Sequence, residues 1–327
     1  LAGVVMSLTA CVVPLPRVAV PAPEPARQHR VATAEQASSP SALARAAQGT
    51  YAYRARRGTA ALDGPTVARH LQQRYDERVD GCQGSTHRVP AFLCSGVLMR
   101  STAHDPDFYP WNPRPGVGGV SFSWLRQDAN WRGVFDGHNS GFIFLPLFYA
   151  NEQGYQPVEV LCAFPVDGWT WYRDANGCGK TVEYPSASRP CHVHGVATAE
   201  AWMALYRAAP DARGVCGFAV GIGEADALAR FNLIAPLMRE LVVAGGFDQW
   251  NELIVREWAQ NLNARLPLEA FYYVGGTNGL ATAMYDQASF VHVAKRWVPV
   301  IRVDFARMAD GRATFTYSAA DQGIGGP

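Results

Sequence analysis

The chain has 327 residues, with 29 basic against 28 acidic side chains and a formal net charge of +1. That balance lacks the excess of Lys and Arg on which nucleic-acid binding rests. A hydrophobic share of 48% is enough for a sizeable core.

The chain opens on LAGVVMSLTAC, an apolar run with small residues just before Cys11. It is too short to span a bilayer and reads as an export signal. Its end, Leu-Thr-Ala-Cys, resembles the bacterial lipobox, which implies cleavage before Cys11 and a lipid on its thiol. An ordinary signal peptide cut farther on, in the Pro/Ala run at 18–26, is the alternative. Either way the mature protein is expected outside the cytoplasm, as an envelope lipoprotein held to a membrane or as a secreted protein. Residues 12–50 are rich in Pro, Ala, Ser and charged residues and show no apolar period. Such a segment does not fold alone and suits a flexible linker. Residues 51–327 are then expected to form a single catalytic domain of one or two lobes.

Helix formers occupy 42–47 and 66–75. Short strands follow within 92–100, 119–125, 141–149 and 158–166, separated by Gly, Pro and Asn. Helices are expected at 199–206 and at 224–243, the latter broken near Pro236. Another is expected at 248–263, where Asp248 can cap and Ile254, Trp258 and Leu262 recur every four residues. A strand at 270–276, a short helix at 279–287 and a terminal strand at 297–305 complete the order. The pattern is α+β, with strands in the N-terminal half, helices in the C-terminal half and disulfide stabilisation.

Setting Cys11 aside leaves Cys82, Cys94, Cys162, Cys178, Cys191 and Cys216. An even set in an exported chain reads as disulfides, and the near pairs Cys82–Cys94 and Cys191–Cys216 are the first choice. A free Cys94 beside His87 or His104 would instead suggest a thiol nucleophile. His192 and His194 could share one strand face, but no CxxC or HExxH accompanies them and no metal is expected. The chain has no GxSxG or GxxxxGK[ST] motif, and Gly221-Ile222-Gly223 lacks the full dinucleotide fingerprint.

Three polar signals fall on the early strands: Arg100 at a strand end, Ser121 and Ser123 two apart and so on one strand face, and Glu159 at a strand start. In that order they resemble the arginine–serine–glutamate class of ADP-ribosyltransferases, with cholera-type toxins among them. A broader resemblance, across residues 80–306, is to the halovibrin-like secreted proteins. It is carried by FLCSGVLMRST, GGVSFSWLRQDA, NSGFIFLP, EVLCAFPVD, GCG, AFYYVGGTNGLATAMYDQ and VPVIRVDF. The resemblance implies ADP-ribosyltransferase-like strands and cleavage of the N-glycosidic bond of NAD. ADP-ribose would pass to water or to a macromolecular acceptor.

In that chemistry Arg100 would clamp the pyrophosphate bidentately, and Ser121 would hold the ribose or nicotinamide surroundings while Ser123 supports the strand. Trp124, Trp111 or Tyr155 would stack on a flat ring. Glu159 would stabilise the oxocarbenium-like charge as the bond opens. Position 157 is Pro where the family carries a second acidic residue, which favours water as acceptor. Glu269, Asp286 and Gln287 form a second-rank polar set. An exported binding or adhesion module without catalysis is the competing reading, supported by the linker, the disulfides and the aromatic stretch at 169–172.

Overall fold

Strands buried on both faces read as continuous apolar runs, and much of this sheet is built from them. The computed structural model describes residues 63–77, 95–102, 108–109, 112–113, 119–127, 139–145, 160–166, 168, 178, 190–208, 216–219, 250–256, 266–305 and 312–324. All lie in one unit, Pro40–Pro327. The expectations placed on Cys11, Cys82, Cys94, Trp111, Tyr155, Glu159, the 12–50 linker, the aromatic stretch 169–172 and the helices at 42–47 and 224–243 fall outside these residues.

In chain order the strands are β1 (Val97–Ser101), β2 (Phe108–Tyr109), β3 (Asn112–Pro113), β4 (Val120–Leu125), β5 (Ser140–Phe144), β6 (Val160–Phe164), β7 (Phe218–Ala219), β8 (Glu252–Val255), β9 (Leu268–Val274), β10 (Val300–Phe305) and β11 (Ala313–Tyr317). The helices are α1 (Gly64–Asp76), α2 (Ala199–Ala208) and α3 (Gly279–Ala294). Nine strands make one sheet in the order β11-β10-β9-β5-β1-β4-β8-β6-β7, and β2 pairs with β3 alone. Only β9 and β10 run parallel among these pairs, and α3 makes the crossover that a parallel pair requires.

Each sheet face has its own core. Leu98, Phe122, Phe142, Phe144, Leu253 and Phe271 belong to the cluster that takes in Trp202 and Met203 of α2 and Ala283 and Phe290 of α3. Val97, Met99, Leu125, Ile143 and Tyr272 cluster with Val67, Leu71 and Tyr75 of α1. Helix α1 starts where Asp63 Oδ1 accepts a 2.7 Å hydrogen bond from the Thr66 amide, with Pro65 in the first turn. Hydrogen bonding from Thr66, first from its side chain and then from this amide, holds the Asp63 carboxyl below its ordinary pKa.

Helix α1 also closes the edge of the sheet. The Ala313 amide donates to the Tyr75 hydroxyl (2.9 Å), and the Phe315 amide donates to Gln72 Oε1 (3.0 Å). Backbone groups of the edge strand β11 are thus met by side chains instead of by another strand. Deeper in, Arg74 reaches Glu269 at 3.1 Å. Ile143 stands opposite Ala270 and Phe144 opposite Leu268, so Glu269 is the extra residue of a β-bulge. The bulge turns its side chain toward α1.

The observed architecture corrects several expectations. The fold is α+β, but strands β7 to β11 come from the second half of the chain, where the described residues divide between strands and helices. The segment read as a helix at 248–263 contains β8: Leu253 and Val255 face one core and Ile254 the other, so a two-faced strand imitates helical spacing. Helix α3 runs on to Ala294, seven residues past the expected end at 287. Strand β10 is not terminal, because β11 pairs beside it. Disulfides join Cys191 to Cys216, as expected, and Cys162 to Cys178, with Cα atoms 4.7 Å and 5.4 Å apart.

Candidate functional site

Three adjacent strands, β1, β4 and β8, assemble a buried polar centre. Met99 stands opposite Ser123 and Arg100 opposite Phe142. Alternation therefore puts Ser121 and Ser123 on the Met99 side of the sheet, while Arg100 leaves on the Leu98 side. The two expected site residues still meet. Arg100 Nη1 donates a 2.9 Å hydrogen bond to the Ser121 carbonyl. Arg100 and Ser121 are 5% and 4% exposed, so both belong to the interior of the sheet and not to its surface.

The Ser121 hydroxyl donates to Oε1 of Glu252, at the start of β8. Oε2 of the same carboxylate accepts a 2.7 Å hydrogen bond from the Gly168 amide. Glu252 is 1% exposed, and a carboxylate in that setting needs the donors it has. A Cβ on residue 168 would lie 2.9 Å from Oε2, so glycine lets the chain approach this closely. Beside it, the Ser123 hydroxyl donates to the Asn251 carbonyl at 3.2 Å. Serine and carboxylate thus meet on one face of the strand triplet, and the guanidinium reaches them from the other face only through the Ser121 carbonyl. The Ser121–Glu252 pair can polarise a hydroxyl or stabilise a developing cation.

The carboxylate that meets Ser121 is thus Glu252, which sequence reasoning placed in a helix. A signal was available: ELIV ends in two β-branched residues, which favour strands. Its pairing with Ser121 spans 131 residues and is invisible locally.

Trp124 sits in the core and is fully buried. Its indole N–H donates to the Ser95 carbonyl at 2.9 Å, and the Arg126 guanidinium lies 4.6 Å from its ring centroid. A ring so enclosed packs the fold and offers no face for stacking on a ligand. Gly96, at φ +71°, makes room for that indole, since a Cβ there would fall 2.1 Å from Nε1.

The second-rank residues are not brought together. Glu269 pairs with Arg74 under α1. Asp286 and Gln287 belong to α3, which packs into the opposite core. Thr102, just beyond β1, donates to Asp286 Oδ2 at 3.1 Å. Gln287 holds the C-terminal segment: its Nε2 donates to the Val298 carbonyl (2.7 Å), and its Oε1 accepts from the amides of Gly323 (2.8 Å) and Ile324 (3.1 Å). His192 and His194 lie exposed in a 3-10 turn, Cys191–His194, and not on a strand. Among the described residues no cluster of three or more His, Cys, Asp or Glu could hold a metal ion. No protein-family model matches this sequence, and no curated protein matches it either.

Proposed function

We propose that the protein cleaves the N-glycosidic bond of NAD, with Glu252 in the role that the sequence pattern assigns to Glu159. The observation that carries this reading is the hydrogen bond from Ser121 to the buried Glu252 carboxylate, with Arg100 bonded to the Ser121 carbonyl. In this reading β1, β4 and β8 supply the arginine, serine and glutamate of an ADP-ribosyltransferase-like arrangement, in keeping with the resemblance to halovibrin-like secreted proteins. Export, with or without a lipid at Cys11, belongs to the same reading.

As the C1′–N bond breaks, its electron pair leaves with nicotinamide and positive charge grows on the ribose. Ser121 keeps Oε1 of Glu252 fixed. The chain at Gly168 has to move off Oε2, since Glu252 is 1% exposed as it stands; a ribose hydroxyl then takes the place of that amide as donor, which brings the carboxylate against the developing cation. Arg100, from the other face of the sheet, holds the Ser121 backbone beneath the carboxylate. Water then adds at C1′, yields ADP-ribose and releases a proton. A macromolecular nucleophile is the second acceptor, and no metal takes part.

The test is incubation of the folded, disulfide-intact protein with NAD, following nicotinamide release with and without candidate acceptors. Release that Glu252→Gln abolishes supports the site. Release that survives this change moves the catalytic role elsewhere, with Glu159 the next residue to replace. No release under any acceptor condition favours the non-catalytic binding module.

A further inference from the structure

The backbone ladder between β4 and β8 runs through the pairs Val120 with Val255, Ser121 with Ile254 and Phe122 with Leu253. Continued by two steps, the same register sets Trp124 opposite Asn251. There a side chain takes over from the backbone. The Trp124 amide donates to Asn251 Oδ1 at 2.7 Å, and Asn251 Nδ2 donates to the Trp124 carbonyl at 2.9 Å. The carboxamide reproduces the donor and acceptor of a strand neighbour. Asn251 is 1% exposed, and its own carbonyl accepts from Ser123. Glu252 therefore lies between the last backbone pair and this clamp, with its register fixed on both sides.

We infer that Asn251 is the positioning residue of the Glu252 carboxylate: its side-chain clamp on Trp124 sets where the carboxylate stands relative to Ser121. The inference rests on the proposed cleavage of NAD and deepens it. Asn251 touches no reacting atom in this scheme. Its effect passes through the placement of Glu252, where a misplacement of about 1 Å costs on the order of 100-fold in rate. Serine at 123 has a corresponding part, since it holds the Asn251 backbone while Ser121 holds the carboxylate itself.

The test compares Asn251→Ala and Asn251→Asp with the unmodified protein. For Asn251→Ala, kcat for nicotinamide release is expected to fall about 100-fold with KM within about twofold. Asn251→Asp is nearly isosteric. Its neutral acid can still donate to the Trp124 carbonyl, whereas its ionised form sets a carboxylate against that carbonyl. Its kcat should therefore rise as pH falls, a trend the unmodified protein does not share. A purely structural role would lower the folded fraction without giving the folded enzyme that profile.

Amide exchange at Trp124 gives a readout independent of NAD, with protection lost in Asn251→Ala and kept in Asn251→Asp at low pH. If Asn251→Ala does not fold, the pH profile and exchange of Asn251→Asp decide alone. An active wild type with unchanged kcat in both variants would overturn the positioning role and leave the NAD reading intact. An inactive wild type would overturn the NAD reading and, with it, the role toward Glu252; loss of Trp124 protection would then support the clamp as a structural element only.

Discussion

Arg74 and Glu269 form an ion pair of 3.1 Å in which the two side chains are only 1% and 2% exposed. One comes from α1 and the other from the bulge in β9, so the pair ties the N-terminal helix to the middle of the sheet. Burial lowers the Arg74 pKa, against the opposing pull of Glu269. Arg74→Met alone, or Glu269→Gln alone, leaves a buried group without its partner and should cost about 3–5 kcal/mol. Replacing both with apolar residues of similar volume should cost far less. Urea denaturation of the two single variants and the double variant measures the difference; equal losses in all three would refute the pairing account.

At the proposed catalytic centre, Glu252→Gln should reduce kcat by at least about 100-fold and leave KM near its original value, because in the proposed cleavage of NAD the charge acts mainly as the ribose becomes cationic. Ser121→Ala should act in the same direction with a smaller loss, since it takes one hydrogen bond from the carboxylate and removes no charge. Steady-state nicotinamide release separates the two parameters. A rise in KM alone would turn these residues into ground-state binders.

Gly168→Ala probes the close approach to Glu252. The added methyl would stand 2.9 Å from Oε2 and 2.9 Å from ring atoms of Phe164. The expected result is a loss of about 1–3 kcal/mol in stability with a fall in turnover. Thermal unfolding and single-turnover assays read the two effects separately, and an unchanged melting temperature would show that the segment yields freely.

Tyr273 donates to Asp321 at 2.7 Å, and burial first, then this bond, raises its phenol to about 12. The ordinary value is near 10. A raised acid favours the neutral form in the folded state, so its stabilisation is complete below about pH 10 and is lost as pH climbs toward 12. Phenolate absorbance and circular dichroism followed together should show ionisation coupled to unfolding in that window. Tyr273→Phe should remove this part of the alkaline transition and cost about 1 kcal/mol near neutral pH.

Non-reducing peptide mapping should recover Cys162 joined to Cys178 and Cys191 joined to Cys216. The linked residues are 16 and 25 positions apart, and each bridge is expected to contribute about 3 kcal/mol by constraining the unfolded chain. Any other pairing of these four cysteines would contradict the arrangement of β6 and the 3-10 turn.

Strands β1, β4, β5 and β6 were legible because apolar runs there are bounded by Gly, Pro and polar residues. Helix α1 was legible from its helix formers, and the bridge between Cys191 and Cys216 from their nearness in sequence. Strand β8 was not, since residues buried on both faces can satisfy helical and strand spacing together. Strand β11, although its ATFTY run alternates, fell outside the expected elements beyond a strand taken as terminal. For the candidate site, Ser121 and Arg100 carried local cues. Their carboxylate did not, because strand pairing between β4 and β8 joins segments more than a hundred residues apart and follows from packing.

The cover that α1 gives β11 has a consequence for how the chain folds. Gln72 and Phe315 are 243 residues apart in sequence, and Tyr75 and Ala313 are 238 apart. During synthesis the helix emerges long before its edge strand exists, so its polar side chains wait for nearly the whole chain. Contacts of such range make for slow folding, because the closure entropy comes before the reward. The edge of the sheet is sealed late, and until then β11 offers open backbone groups to any neighbouring chain. Refolding yield should therefore fall steeply with protein concentration.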